Sequence, residues 1–228
     1  MILENYQVTI DSEKVSRLLG AKNGRRISPA SLRRVDLLSE EIDKMLKPQL
    51  SYRILTLSEI DKGGIRLSNG TRFNSPKLAK ALTKAESVCC FVATVGPFVD
   101  MEINRLMQKQ RYANAYVLDA LGSMSAENIV EQFYQHMARK QAKKGNGVGI
   151  RFSPGYCDWP IYDQRSLFNL FAKTDTPDVV LTKSCLMSPR KSVSGLFGLM
   201  PSEATGADPS YIPCNTCTKQ DCIARRSN

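Results

Sequence analysis

The chain has 228 residues, 42% of them hydrophobic and 24% charged, with a net charge of +10. That balance is ordinary for a globular protein that buries a real core. No run approaches the roughly 18 apolar residues of a membrane span, and "MILENYQVTI" lacks the basic flank and apolar run of a signal peptide. A cytoplasmic protein is expected, with a basic surface that is either simply solvated or suited to an anionic partner.

In chain order, Ser28-Pro29 opens the first clear helix: serine is a good N-cap and proline suits the first helical position. Leu32, Val35, Leu38, Ile42 and Met45 recur at helical spacing and Pro48 closes the element. Residues 51–60 read as a strand. Residues 64–73 read as a hairpin in which Asn69-Gly70 supplies a type I′ turn. Ser75-Pro76 starts a short helix, and the continuous apolar run "SVCCFVATVG" (87–96) suits a buried strand with Cys89 and Cys90 as small core residues.

From Pro97 to about Lys144 the pattern predicts two helices. The second has Tyr116, Val117, Ala120, Leu121, Met124, Ile129 and Phe133 on its apolar face. Its basic last turn and the glycines after it are a helix C-terminus. His136, the sole histidine, lies on this helix and reads as a surface or satisfied core residue. A short helix (163–172), a strand over 179–187, a turn at Pro189 and a segment 192–200 follow.

Between them lies "RFSPGYCDWP" (151–160), with neither helical nor strand period. Pro154 and Pro160 stiffen it, and Gly155 permits a close approach to the backbone. Tyr156 and Trp159 offer flat apolar faces, while the planar fork of Arg151 suits a carboxylate or phosphate. Such a loop either binds a ligand that is aromatic at one end and anionic at the other, or plugs the core at a tight connection.

A second stretch, "LTKSCLMSPRKSVSG" (181–195), completes a pattern with the first. Together they resemble the activation domain of cobalamin-dependent methionine synthase. Arg151, Pro154, Gly155, Tyr156 and Pro160 match that family's Arg-x-x-Pro-Gly-Tyr-x-x-x-Pro loop. Leu181, Thr182, Ser184, Met187, Pro189, Ser192, Val193, Ser194 and Gly195 match its second motif. The resemblance covers roughly residues 85–200, and the family's closing segment is not recognisable after Gly195. It implies an α+β fold, a mainly antiparallel twisted sheet with flanking helices. Residues 1–84 would extend the same domain, 85–200 form its S-adenosylmethionine-binding core, and 201–228 a cysteine-rich tail.

The resemblance further implies binding of S-adenosylmethionine and reductive remethylation of a corrinoid-dependent methyltransferase. Arg151 would clamp the donor's carboxylate, as its bidentate geometry allows. The backbone at Pro154 and Gly155 would meet the adenine or ribose, Tyr156 would pack on the ligand, and Asp119 or Glu127 would receive the ammonium. Cobalamin-, folate- and homocysteine-binding modules are not recognised, so the chain is expected to act in trans on a corrinoid partner. An acidic electron donor such as flavodoxin or ferredoxin would suit the positive charge. Nucleic acid and membrane are not expected partners.

Of the seven cysteines, Cys214, Cys217 and Cys222 form Cys-x2-Cys-x4-Cys, a soft-metal pattern. Three ligands are one short of a closed zinc or cubane site, and Cys157 and Cys185 are the candidates for a fourth. An iron–sulfur cluster, zinc, or no metal all fit this spacing. A metal or zinc-knuckle module that contacts nucleic acid or a protein is the competing reading of the whole chain.

Overall fold

The computed structural model describes residues 2–3, 12–21, 27–172 and 177–201. In order these form β1 (Ile2–Leu3), α1 (Ser12–Leu18), α2 (Pro29–Ile42), β2 (Gln49–Asp61), β3 (Gly64–Leu67), β4 (Arg72–Phe73) and α3 (Pro76–Ala81). There follow β5 (Ser87–Thr94), α4 (Phe98–Gln108), α5 (Tyr112–Ala142), β6 (Gly147–Val148), α6 (Gln164–Phe168), β7 (Val180–Leu181), β8 (Met187–Ser188) and β9 (Ser192–Met200). A seven-stranded sheet has the order β4-β3-β2-β5-β9-β6, with β1 also paired to β2, and β7 and β8 form a separate ribbon. The pairings β1–β2, β2–β3, β3–β4, β6–β9 and β7–β8 are antiparallel. This is the expected α+β class. No helix among the described residues is long and apolar enough to cross a membrane.

The chain divides into two compact units. The first comprises Met1–Ser51, Ala93–Phe133 and Asp175–Val193; the second comprises Tyr52–Val92, Tyr134–Thr174 and Ser194–Asn228.

In the first unit, the Ser28 hydroxyl accepts from the Ser31 amide at 3.1 Å and so caps α2. Val35, Leu38 and Ile42 of α2 are buried as their spacing predicts, whereas Leu32, in the first turn, is exposed. On α5 the buried stripe runs through Val117, Leu118, Leu121, Met124 and Ser125. Tyr116 falls one position off that stripe; it is 56% exposed and donates to the Leu18 carbonyl. The strand expected over 179–187 is instead the β7–β8 ribbon. The polar residues Thr182, Lys183 and Ser184 interrupt the apolar run, and the Thr182 hydroxyl accepts from the Leu186 amide at 3.0 Å, closing a turn.

Residues 87–92 of β5 belong to the second unit, and the strand is buried on both faces, which is what its unbroken apolar run requires of an interior strand. Cys89 and Cys90 are fully buried there as small hydrophobes, as expected. Phe197 of β9 stacks edge-on against Tyr134 at 5.2 Å and lies 6.2 Å from Phe91. The β3–β4 connection departs from the expected type I′ turn. Gly70 takes φ +87° but Asn69 does not enter the positive-φ region. The Asn69 side chain instead accepts from the Thr71 amide at 3.1 Å, forming a longer Asx-type loop over 68–71.

Candidate functional site

The 151–160 loop lies wholly in the second unit and is fixed at both ends. At its start Phe152 and Leu196 form an antiparallel bridge, exchanging two backbone hydrogen bonds of 2.9 Å. Gly195 makes the approach possible: a Cβ there would lie 2.2 Å from the Phe152 carbonyl oxygen. The motif residues Ser194 and Gly195 therefore meet the Arg-Phe-Ser-Pro-Gly stretch directly. The buried Ser194 hydroxyl donates to the Gln164 side chain of α6 at 3.2 Å.

At its far end the loop turns on itself. The Gly155 amide donates to the Trp159 carbonyl at 2.9 Å, and the Trp159 amide to the Tyr156 carbonyl at 3.1 Å. Gly155 takes φ +88°, a conformation that glycine adopts without strain, and Cys157 takes φ +57°. Two carboxylates then tie the turn to the start of α3. Asp158 accepts from the Ser75 hydroxyl and from the Lys77 amide at 3.0 Å. Asp163 accepts from the Asn74 amide at 2.8 Å and from the Trp159 indole at 3.1 Å.

These contacts assign the aromatics different roles. Trp159 is 1% exposed and stacks edge-on against Phe73 at 5.2 Å, so it is a core residue and presents no face to a ligand. Tyr156 is 47% exposed. Arg151 is half-buried, with its guanidinium carbon 5.8 Å from the centre of the Tyr134 ring, close enough for a cation–π contact. Tyr134 in turn donates to the Gly149 carbonyl at 3.0 Å, which holds that ring in place. Pro154 is buried beneath the turn.

In the first unit, Asp119 and Glu127 lie on α5. Asp119 pairs with Lys191, Nζ to Oδ1 at 2.8 Å, and Glu127 is exposed. Lys191 is a second-motif residue that sequence spacing did not single out. Its ammonium also donates to Ser123 at 2.9 Å, and its carbonyl accepts from the Val95 amide at 3.1 Å. Nearby, Arg190 donates its amide to Asp100 at 2.6 Å.

Cys157 is exposed in the second unit and Cys185 is buried in the first; neither is in a disulfide. Cys214, Cys217 and Cys222 lie outside the described residues. Among the described residues no three His, Cys, Asp or Glu side chains are grouped to hold a metal ion. His136 is exposed. Asp158 and Asp163 were not singled out from sequence, nor was Ser75 as a partner of the loop. Ser75-Pro76 did carry a helix-start signal, but nothing local joins it to acids some eighty residues on.

This fold is the one seen in the reactivation domain of MetH, solved bound to AdoHcy: the two are similar with a TM-score of 0.64 at 15% identity, over 88% of this chain and 79% of that one. The family model described as vitamin B12 dependent methionine synthase, activation domain, matches residues 78–220. The chain belongs to that family. The match runs past Gly195, where the recognisable motifs end, and takes in Cys214 and Cys217. No curated protein matches the chain.

Proposed function

We propose that this chain binds S-adenosylmethionine at its 151–160 loop and supports the reductive remethylation of a separate corrinoid-dependent methyltransferase. The observation that carries this reading is the Arg151 loop, inside the span matched by the activation-domain family and held rigid at both ends. Arg151 presents a guanidinium for the donor's carboxylate. The backbone of exposed Gly155, next to buried Pro154, offers a polar edge to the adenosine, and the exposed ring of Tyr156 offers a packing surface. In such a reaction an external electron donor reduces the cobalt. The methyl group then passes from sulfonium to cobalt, leaving S-adenosylhomocysteine. The residues named here bind and orient the methyl donor, while sulfonium and cobalt carry the chemistry.

The +10 charge suits docking to an acidic electron donor of the flavodoxin or ferredoxin kind, and the cytoplasm as the setting. In the same reading, the closely spaced thiols Cys214, Cys217 and Cys222 hold an iron–sulfur cluster or zinc; iron and zinc analysis after anaerobic purification tests that assignment. The primary test is calorimetric titration with S-adenosylmethionine. Saturable binding by the wild type and its loss in Arg151→Ala are expected. A wild-type protein that does not bind the donor refutes the reading.

A further inference from the structure

The Arg151 loop owes its shape to residues remote in sequence. Its first anchor is the Phe152–Leu196 bridge, and its second is the pair of carboxylates that reach the start of α3. Between the anchors, Gly155, Tyr156 and Cys157 are exposed, and backbone hydrogen bonds tie Gly155 to Trp159 and Tyr156 to both Ser153 and Trp159. Those bonds couple the Gly155–Tyr156 segment to Trp159, and through it to the contacts that hold Asp158 and Trp159.

The chemistry at Asp158 is fully assigned by donor and acceptor capacity. The Ser75 oxygen accepts from the Leu78 amide at 3.0 Å as the N-cap of α3, leaving its proton to be donated to the Asp158 carboxylate. The Lys77 amide lies in the first turn of α3, where backbone amides have no carbonyl within the helix to bond, and it takes the other carboxylate oxygen. One side chain of the loop thus completes the capping of a helix that would otherwise end on open donors, and the helix start fixes the loop in return. The charge of Asp158 strengthens both bonds.

Resting on the reading of the loop as a methyl-donor cradle, we propose that Asp158 is a positioning residue for that ligand. Through Ser75 and Lys77 it holds Tyr156 and the Gly155 backbone in the geometry that receives S-adenosylmethionine. It acts through the loop and touches no reacting atom.

The chain carries its own probe of this conformation. Trp159 is its only tryptophan, adjacent to Asp158, buried against Phe73 and bonded to Asp163. Asp158→Ala is expected to shift the ligand-free tryptophan emission to longer wavelength while far-ultraviolet circular dichroism stays unchanged. The affinity of Asp158→Ala for S-adenosylmethionine is expected to fall by roughly tenfold, the scale of one charge-assisted hydrogen bond. Asp158→Asn, whose amide can still accept from Lys77 and donate to the Ser75 oxygen, is expected to restore most of both signals. Unchanged emission and unchanged affinity in Asp158→Ala overturn the proposal, and so does global unfolding of that variant, which would make Asp158 a determinant of folding. A wild type that fails to bind S-adenosylmethionine removes the ligand reading itself, whereas wild-type binding matched by Asp158→Ala removes only the positioning role.

Discussion

Lys191 Nζ lies 2.8 Å from Asp119 Oδ1. The lysine side chain is 7% exposed and the aspartate 44%, so the pair spans the edge of the first unit's interior. The same lysine receives the Val95 amide on its carbonyl. One residue thereby joins the end of β5, α5 and the second motif. An ammonium this buried needs its counter-charge more than a half-exposed carboxylate does. Asp119→Ala is expected to cost about 2 kcal/mol, discounted from a fully buried pair because Asp119 faces solvent. Lys191→Met keeps the apolar stem without the charge and is expected to cost less. Urea unfolding of the two variants and their double mutant checks the order; the reverse order would show that the charge of Lys191 is already well solvated.

Gly195→Ala should damage both fold and ligand binding. The added Cβ would meet the Phe152 carbonyl oxygen at 2.2 Å and the Ser153 hydroxyl at 2.9 Å. The nearer atom is backbone and cannot rotate away, so the Phe152–Leu196 bridge must part. A loss of about 3 kcal/mol is expected, the upper range for overpacking, with release of the loop's first anchor. Thermal unfolding measures the first effect and S-adenosylmethionine titration the second.

Much of this was legible in the sequence, for identifiable reasons. Ser28-Pro29 and Ser75-Pro76 marked their helices because capping is a local interaction, settled within four residues. The apolar run at 87–96 announced an interior strand because burial on both faces leaves no room for alternation. The loop motif and Gly195 were visible as a pattern, but the reason for Gly195, a carbonyl pressed where its side chain would be, needed the fold. Trp159 could not be told from a ligand platform by composition, since burial against Phe73 depends on a partner more than eighty residues away. The β7–β8 ribbon was missed because a run of apolar residues with a polar centre reads equally as one strand or as two.

Asp61 should carry a pH-dependent share of the second unit's stability. Its carboxylate accepts from the Arg72 guanidinium and from the amides of Gly63 and Gly64, closing the β2–β3 turn. The hydrogen bond from Arg72, with help from the Gly63 amide, holds its pKa below the ordinary value of 3.8. The folded state therefore favours the charged form. That contribution is complete above the unfolded value and is lost as pH falls through the lower folded value. Carbon-detected NMR titration should place the Asp61 midpoint below that of an unstructured aspartate. Acid-unfolding curves of wild type and Asp61→Asn should converge once it is protonated.

The buried thiols of β5 give the opposite sign at the alkaline end. Burial pushes Cys90 up to about 12 from an ordinary 9.0. Burial also raises Cys89, reinforced by neighbouring Cys90 and only partly offset by Lys140. Both thiols stay protonated in the folded protein over a range in which the unfolded chain would release them. Their contribution is therefore full below the unfolded value and is lost as pH rises from there toward the folded one. The melting temperature should fall as pH climbs past about 9, and Cys90→Ala, which removes one such proton, should flatten that decline. At pH 8, iodoacetamide followed by peptide mapping should find Cys157 modified in the native protein. Cys89, Cys90 and Cys185, all buried, should remain unmodified until the chain is unfolded. Labelling of Cys90 in the native state would mean that β5 opens readily, and would contradict its place inside the sheet.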